Sequence, residues 1–194
     1  MVESFPSRPM LTNLPNLLTL CRIGIIPVLL LFVYLNEPWA RWLALFLFIS
    51  AGLTDYLDGY LARNRGQVSA IGRFLDPIAD KLLVAAVILL LVAVDAITGL
   101  VLLPALVILC REILVSGLRE YLAEIQVPLP VSNLAKWKTM IQMVALGFLI
   151  VGGDGPGFLS FQLIGEVGLW LAAGLTLVTG YDYLKRGLKH MLES

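Results

Sequence analysis

Long apolar runs dominate this chain, and its polar residues collect at the breaks between them. Runs near residues 17–35, 39–62, 70–95, 98–122, 133–152 and 160–184 each approach the roughly 20 apolar residues that an α-helix needs to cross a bilayer. The breaks carry turn chemistry: Asn36-Glu-Pro38, Asn64-Arg-Gly66, Val127-Pro-Leu-Pro130 and Gly152-Gly-Asp-Gly-Pro-Gly157, with Asp95-Ala-Ile-Thr-Gly99 as a softer one. The pattern predicts an all-α polytopic membrane protein with six transmembrane helices. No internal repeat or low-complexity tract interrupts it, so residues 1–194 read as one membrane domain. Residues 1–15 lack a long apolar stretch followed by a cleavage site and do not read as a signal peptide.

Composition agrees with the pattern. Hydrophobic residues make up 59% of the chain and charged residues 14%, and the mean hydropathy is +0.88. The formal net charge is zero, which argues against a nucleic-acid partner. The placement of the charges says more than their sum. Arg8 precedes helix 1, and Arg63, Arg65 and Arg73 surround the junction of helices 2 and 3. Arg119, Lys136 and Lys138 surround the junction of helices 4 and 5, and Lys185, Arg186 and Lys189 follow helix 6. The alternate loops hold Glu37, Asp95 and Asp154, with only Arg41 nearby. The positive-inside rule therefore puts both termini, and the junction of helices 2 and 3, in the cytoplasm. Cys21 and Cys110 lie within apolar helices as small hydrophobes, and His190 lies in the cytoplasmic tail with no chemistry assigned to it.

One stretch departs from the apolar pattern. Asp55, Asp58, Asp76 and Asp80 fall within 26 residues, inside helix ends bounded by the apolar runs 43–53 and 82–94. An aspartate at membrane depth costs about 2.5–3.5 kcal/mol or more unless it is paired, metal-bound or in a polar cavity. Asp55, Asp58 and Ala62 share one helix face, and Gly72, Asp76 and Asp80 share a face of the next. Two such faces form an oxygen-only donor set suited to Mg²⁺ or Mn²⁺. Gly59 and Gly72 clear space for a bulky ligand or a close backbone, and Arg63 offers a planar cation for phosphate oxygens. Together these residues describe a diphosphate site. The competing interpretation is a divalent-cation transporter, which has no use for an arginine beside its carboxylates.

The stretch Asp-x-x-Asp-Gly-x-x-Ala-Arg, eight residues, then Gly-x-x-x-Asp-x-x-x-Asp resembles the signature of the CDP-alcohol phosphatidyltransferases. All eight fixed positions are filled, by Asp55, Asp58, Gly59, Ala62, Arg63, Gly72, Asp76 and Asp80. The resemblance implies a six-helix membrane enzyme, usually a homodimer, that cleaves the pyrophosphate of a CDP-linked substrate. It implies two divalent cations, Mg²⁺ or Mn²⁺, on Asp55, Asp58, Asp76 and Asp80, with Asp80 also the general base. It gives Gly59, Ala62, Arg63 and Ser69 to the nucleotide diphosphate of CDP-diacylglycerol. Asn16 and Thr19, in Leu14-Pro-Asn-Leu-Leu-Thr19, resemble a pair on the family's first helix that approaches the nucleotide.

Arg111-Glu-Ile-Leu-Val-Ser-Gly-Leu-Arg119 and Ala135-Lys136-Trp-Lys138 resemble the branch of the family that joins CDP-diacylglycerol to sn-glycerol 3-phosphate and releases CMP. An acceptor that is a phosphate dianion needs cations beyond Arg63, and Arg111, Arg119, Lys136 and Lys138 are the candidates. Arg111 could otherwise pair with an acid, and the lysines could be interfacial anchors. Arg22 could pack helix 1 against the acids, and Lys81 could neutralise them. The acceptor could also be inositol phosphate, serine or a second lipid. The resemblance covers residues 13–185 and implies a bacterial cytoplasmic membrane, with the site facing the cytosol.

Overall fold

A computed structural model describes residues 14–65, 70–127, 133–157 and 159–193, with side chains at 17–54, 72, 74–127, 133–157, 159–185 and 187. The described residues form six α-helices: α1 Leu14–Leu35, α2 Pro38–Arg65, α3 Ala70–Ala93, α4 Leu102–Glu124, α5 Asn133–Val151 and α6 Phe161–Glu193. Two 3-10 turns, Gly99–Val101 and Gly152–Asp154, precede α4 and follow α5. Among the described residues, four stretches are long and apolar enough to cross a membrane: Leu17–Leu35, Gly99–Glu124, Asn133–Asp154 and Phe161–Lys185. In α2 the apolar part is shorter, Pro38–Thr54. Large apolar side chains such as Phe46, Leu89, Ile113 and Leu163 are exposed, as lipid-facing positions of a multi-pass protein require.

The helix ends follow from local chemistry. Asn36, Asp95 and Gln126 take φ near +56 to +60°, the left-handed conformation that stops a helix. Behind two of them the next amide reaches back five residues, Ala96 to the Leu91 carbonyl and Val127 to the Leu122 carbonyl, each at 2.8 Å. Asn36 also accepts hydrogen bonds from the Arg41 side chain, which fixes the α1–α2 turn. Pro38 opens α2, where its missing N–H does no harm.

The chain separates into two compact units, Met1–Ala86 and Val87–Ser194. In the first, α1 packs against α2. The buried stripe of α1 runs Thr19, Arg22, Ile26, Leu29, Val33 at alternating spacings of three and four, and that of α2 runs Ala40, Ala44, Phe48, Ala51. The α1 stripe is polar for its first two positions and apolar after them. In the second unit α6 packs against both α4 and α5. A Cβ on Gly168 would stand 2.9 Å from the Ala145 Cβ, and one on Gly165 would stand 2.6 Å from the Leu149 Cγ. Glycine at these positions lets α5 and α6 approach closely, as small residues do between membrane helices.

One helix, α6, runs well past its apolar run. The crossing expected near 160–184 coincides with the apolar stretch Phe161–Lys185, and the helix itself continues to Glu193. The apolar run does stop at Lys185, but the residues that follow are good helix formers. Gly187 also lies against Leu118 of α4, so packing continues beyond the apolar run.

Candidate functional site

The polar end of the α1 stripe meets the second half of the aspartate signature. Asp76 and Asp80 stand one turn apart on α3, on one face. Thr19 is fully buried, and its hydroxyl donates to Asp76 Oδ1 at 2.7 Å. One turn along α1, Arg22 is 1% exposed and donates through Nη1 to Asp80 Oδ1 at 3.1 Å. The two pairs advance together because spacings of three on α1 and four on α3 each make about one helical turn. The Asp80 side chain is half exposed while that of Arg22 is fully buried. The pair therefore anchors a buried cation to a carboxylate that opens outward. Water screens the exposed partner, so its worth to stability is modest and its effect on orientation is larger. Gly72, at the signature position one turn before Asp76, is buried.

Asn16, Asp55, Asp58, Gly59, Ala62 and Arg63 lie on helical backbone, in α1 and α2, but their side chains lie outside those described, and Ser69 lies outside the described residues altogether. Asp55 and Asp58 are three residues apart on α2, so helical geometry puts them on one face. Among the described residues no group of three or more His, Cys, Asp or Glu could hold a metal ion. Asp76 and Asp80 are the two signature acids whose side chains are described.

The second unit holds a separate polar cluster on α4, α5 and α6. Arg111 donates through Nη1 to Glu112 Oε1 at 3.3 Å and through Nη2 to Thr179 Oγ1 at 3.2 Å. The Thr179 hydroxyl gives its own proton to the Leu175 carbonyl at 2.8 Å, which leaves its oxygen to accept from the arginine. The guanidinium lies 5.7 Å from the centre of the Tyr183 ring, a cation–π distance. A Cβ on Gly180 would come within 3.1 Å of the Arg111 Cγ, so α6 gives the arginine stem its room at that position. Lys138 of α5, 3% exposed, hydrogen-bonds through Nζ to the same Glu112 oxygen.

The four predicted acceptor cations thus divide in two. Arg111 and Lys138 meet at Glu112, whereas Arg119 and Lys136 are exposed. Helical rotation explains the split: two residues turn a side chain by about 200°, and eight leave it about 80° off. The sequence reading noted Glu112 only as a neighbour of Arg111. Its bond to Lys138 joins positions 26 residues apart, and no local pattern announces it. Thr179 and Tyr183 were missed altogether, since a threonine and a tyrosine in an apolar helix carry no signal alone. Thr19, given to the nucleotide, has its hydroxyl on Asp76 in this structure, and Arg22 does join α1 to the acids.

One cluster thus gathers oriented carboxylates and the other converging cations. Comparison with known proteins gives the family. The profile of the CDP-alcohol phosphatidyltransferase family matches residues 12–178. A Rickettsia bellii protein named CDP-diacylglycerol–glycerol-3-phosphate 3-phosphatidyltransferase is 50% identical over 178 residues, covering 92% of this chain and 97% of its own length. A Cereibacter sphaeroides protein of the same name is 36% identical over 214 residues, covering 92% of this chain and 97% of its own length. An Arabidopsis thaliana protein with that name and the number 2 is 37% identical over 188 residues, covering 90% of this chain and 79% of its own length. With a family match across most of its length and the full signature in place, the chain belongs to the CDP-alcohol phosphatidyltransferase family.

Proposed function

We propose that this chain transfers the phosphatidyl group of CDP-diacylglycerol to sn-glycerol 3-phosphate, forming phosphatidylglycerophosphate and releasing CMP. One observation carries the reading. The complete signature stands in the sequence, and α1 holds its second half through Thr19 on Asp76 and Arg22 on Asp80. The relatives that share up to half of their residues with this chain bear the name of that reaction.

Asp55, Asp58, Asp76 and Asp80 would hold the divalent cations, Mg²⁺ or Mn²⁺ and two in number. The donor set fits, being all carboxylate oxygen. Asp76 and Asp80 stand one turn apart on one face of α3, and the Asp80 side chain is half exposed. When bound, the cations supply charge stabilisation for the diphosphate and the departing CMP. The protein's own groups do the rest. Arg63, with the clearance at Gly59 and Ala62, binds the diphosphate of CDP-diacylglycerol, and Asn16, Thr19 and Ser69 belong to the same donor side. Asp80, oriented by Arg22, accepts the proton of the glycerol 1-hydroxyl as that oxygen bonds to the lipid-linked phosphorus and the bond to CMP breaks. Arg111 and Lys138 bind the acceptor phosphate, with Arg119 and Lys136 as its outer cations.

The same reading gives six membrane crossings, both termini in the cytoplasm, a site open to the cytosol of a bacterial inner membrane, and a homodimer. The distribution of Arg and Lys between alternate loops supports the orientation. The deciding experiment is a panel of acceptors offered to purified protein with CDP-diacylglycerol, with CMP release as the readout. Release should depend on glycerol 3-phosphate, and free glycerol, serine and inositol phosphate should be far poorer. Serine or inositol phosphate matching glycerol 3-phosphate would overturn the acceptor assignment.

A further inference from the structure

We infer that Glu112 is the positioning residue of the acceptor subsite: one carboxylate oxygen on α4, partly buried, draws the Arg111 guanidinium and the Lys138 ammonium to a single point and holds them there for a phosphate dianion. This rests on the transferase reading above. Three observations separate it from a structural ion pair. First, the charges are unbalanced: Arg111, Glu112 and Lys138 have formal charges that sum to +1, which leaves one positive charge for an incoming anion. Second, buried polar atoms near the triad exceed what it uses. Arg111 Nε, Gln142 Oε1 and Thr176 Oγ1 are buried with no hydrogen-bond partner among the described residues.

Gln142 stands one turn beyond Lys138 on the same face of α5. The contacts of Gly168 with Ala145 and of Gly165 with Leu149 fix the antiparallel register of α5 and α6, which sets Thr176 level with Lys138. A buried network built for stability alone satisfies its members. Third, α6 holds Arg111 from the other side, through Thr179 and Tyr183, so the guanidinium is clamped at both ends. In a low dielectric two unshared cations repel. Glu112 removes that repulsion before the acceptor arrives, and the ordering of two long side chains is then not charged against binding.

The test is a kinetic comparison of purified wild type with Glu112→Gln, which keeps shape and loses charge. The expected result is a ten- to hundredfold rise in KM for glycerol 3-phosphate, the weight of one charge-assisted contact. The KM for CDP-diacylglycerol should stay within about twofold, with kcat falling far less than KM rises. Because Glu112 acts through the two cations it holds, adding Glu112→Gln to Lys138→Met should cost less than the same change costs in wild type. Glu112→Asp, which withdraws the charge by one methylene, should give an intermediate rise, and it carries the test alone where the glutamine variant does not yield folded protein. An unchanged or lowered KM for the acceptor would overturn the inference, as would equal damage to both substrates or fully additive effects in the double variant. If wild type releases no CMP in response to glycerol 3-phosphate, it is the transferase reading that fails, and not the role of Glu112 within it.

Discussion

Arg22 of α1 is buried and donates to Asp80 of α3 at 3.1 Å, so the helix that begins the membrane domain orients the fourth acid of the signature. Arg22→Met keeps most of the side-chain volume and removes the charge. It should lower kcat by about ten- to a hundredfold, the loss of one charge-assisted contact, with CDP-diacylglycerol KM little changed. Thermal stability should fall modestly, because Asp80 is half exposed and water can replace the arginine. Arg22→Lys should recover activity only in part, since a point charge does not reproduce the planar donor. Steady-state kinetics on detergent-purified protein check this, and an unaltered kcat in Arg22→Met would remove Arg22 from the site.

The Thr19 hydroxyl makes the parallel contact to Asp76. Thr19→Val is nearly isosteric and removes the hydroxyl that a fully buried Thr19 gives to the partly buried carboxylate. Hydrogen bonds to charged groups contribute about 1.5–3 kcal/mol, so turnover at limiting Mg²⁺ should drop by about tenfold or more. Thr19→Ser should stay near wild type. Equal activity of the valine and serine variants would make the contact incidental.

The role proposed for Arg111 separates acceptor from donor. Arg111→Ala should raise the KM for glycerol 3-phosphate by about ten- to a hundredfold and leave CDP-diacylglycerol nearly unaffected, while the weak reaction with free glycerol, which has no dianion, should barely change. If glycerol and glycerol 3-phosphate suffer alike, Arg111 supports the fold through Thr179 and Tyr183 and does not bind the acceptor.

Gly168 reports on packing and not on chemistry. Its Cβ position is already taken by Ala145, so Gly168→Leu must push α5 from α6. Overpacking of this kind costs about 1–3 kcal/mol, and a lowered thermal transition with the acceptor KM held close to wild type is the expected pattern. A transition equal to wild type would show that the two helices separate without strain.

Much of this was legible in the sequence, and the reasons differ by residue. The helices could be placed because apolar runs and turn residues are local signals. Asn36 with Pro38 marked one break, and Asp95 through Gly99 another. Hydropathy placed the apolar stretch of α6 but reports the membrane and not the helix, whose packing Gly187 and Leu118 carry beyond it. Spacing put Asp76 and Asp80 on one face, but it could not show which atoms of α1 meet them, 57 and 58 residues away. Lys136 and Lys138 were given equal weight, although helical rotation alone turns them to opposite sides. Glu112 was visible as a residue and invisible as a junction, because its second partner comes from another helix.

The most direct test of the central claim follows radiolabelled sn-glycerol 3-phosphate into lipid in proteoliposomes containing CDP-diacylglycerol. Wild type should make one organic-soluble labelled product per CMP released, only with Mg²⁺ or Mn²⁺ present, and chelation should stop the reaction. Asp55→Asn, Asp58→Asn, Asp76→Asn and Asp80→Asn should each insert normally and lose about a hundredfold or more of that activity, with Asp80→Asn keeping the most nucleotide affinity. Label entering lipid undiminished in any of the four, or CMP released without labelled lipid, would contradict the account.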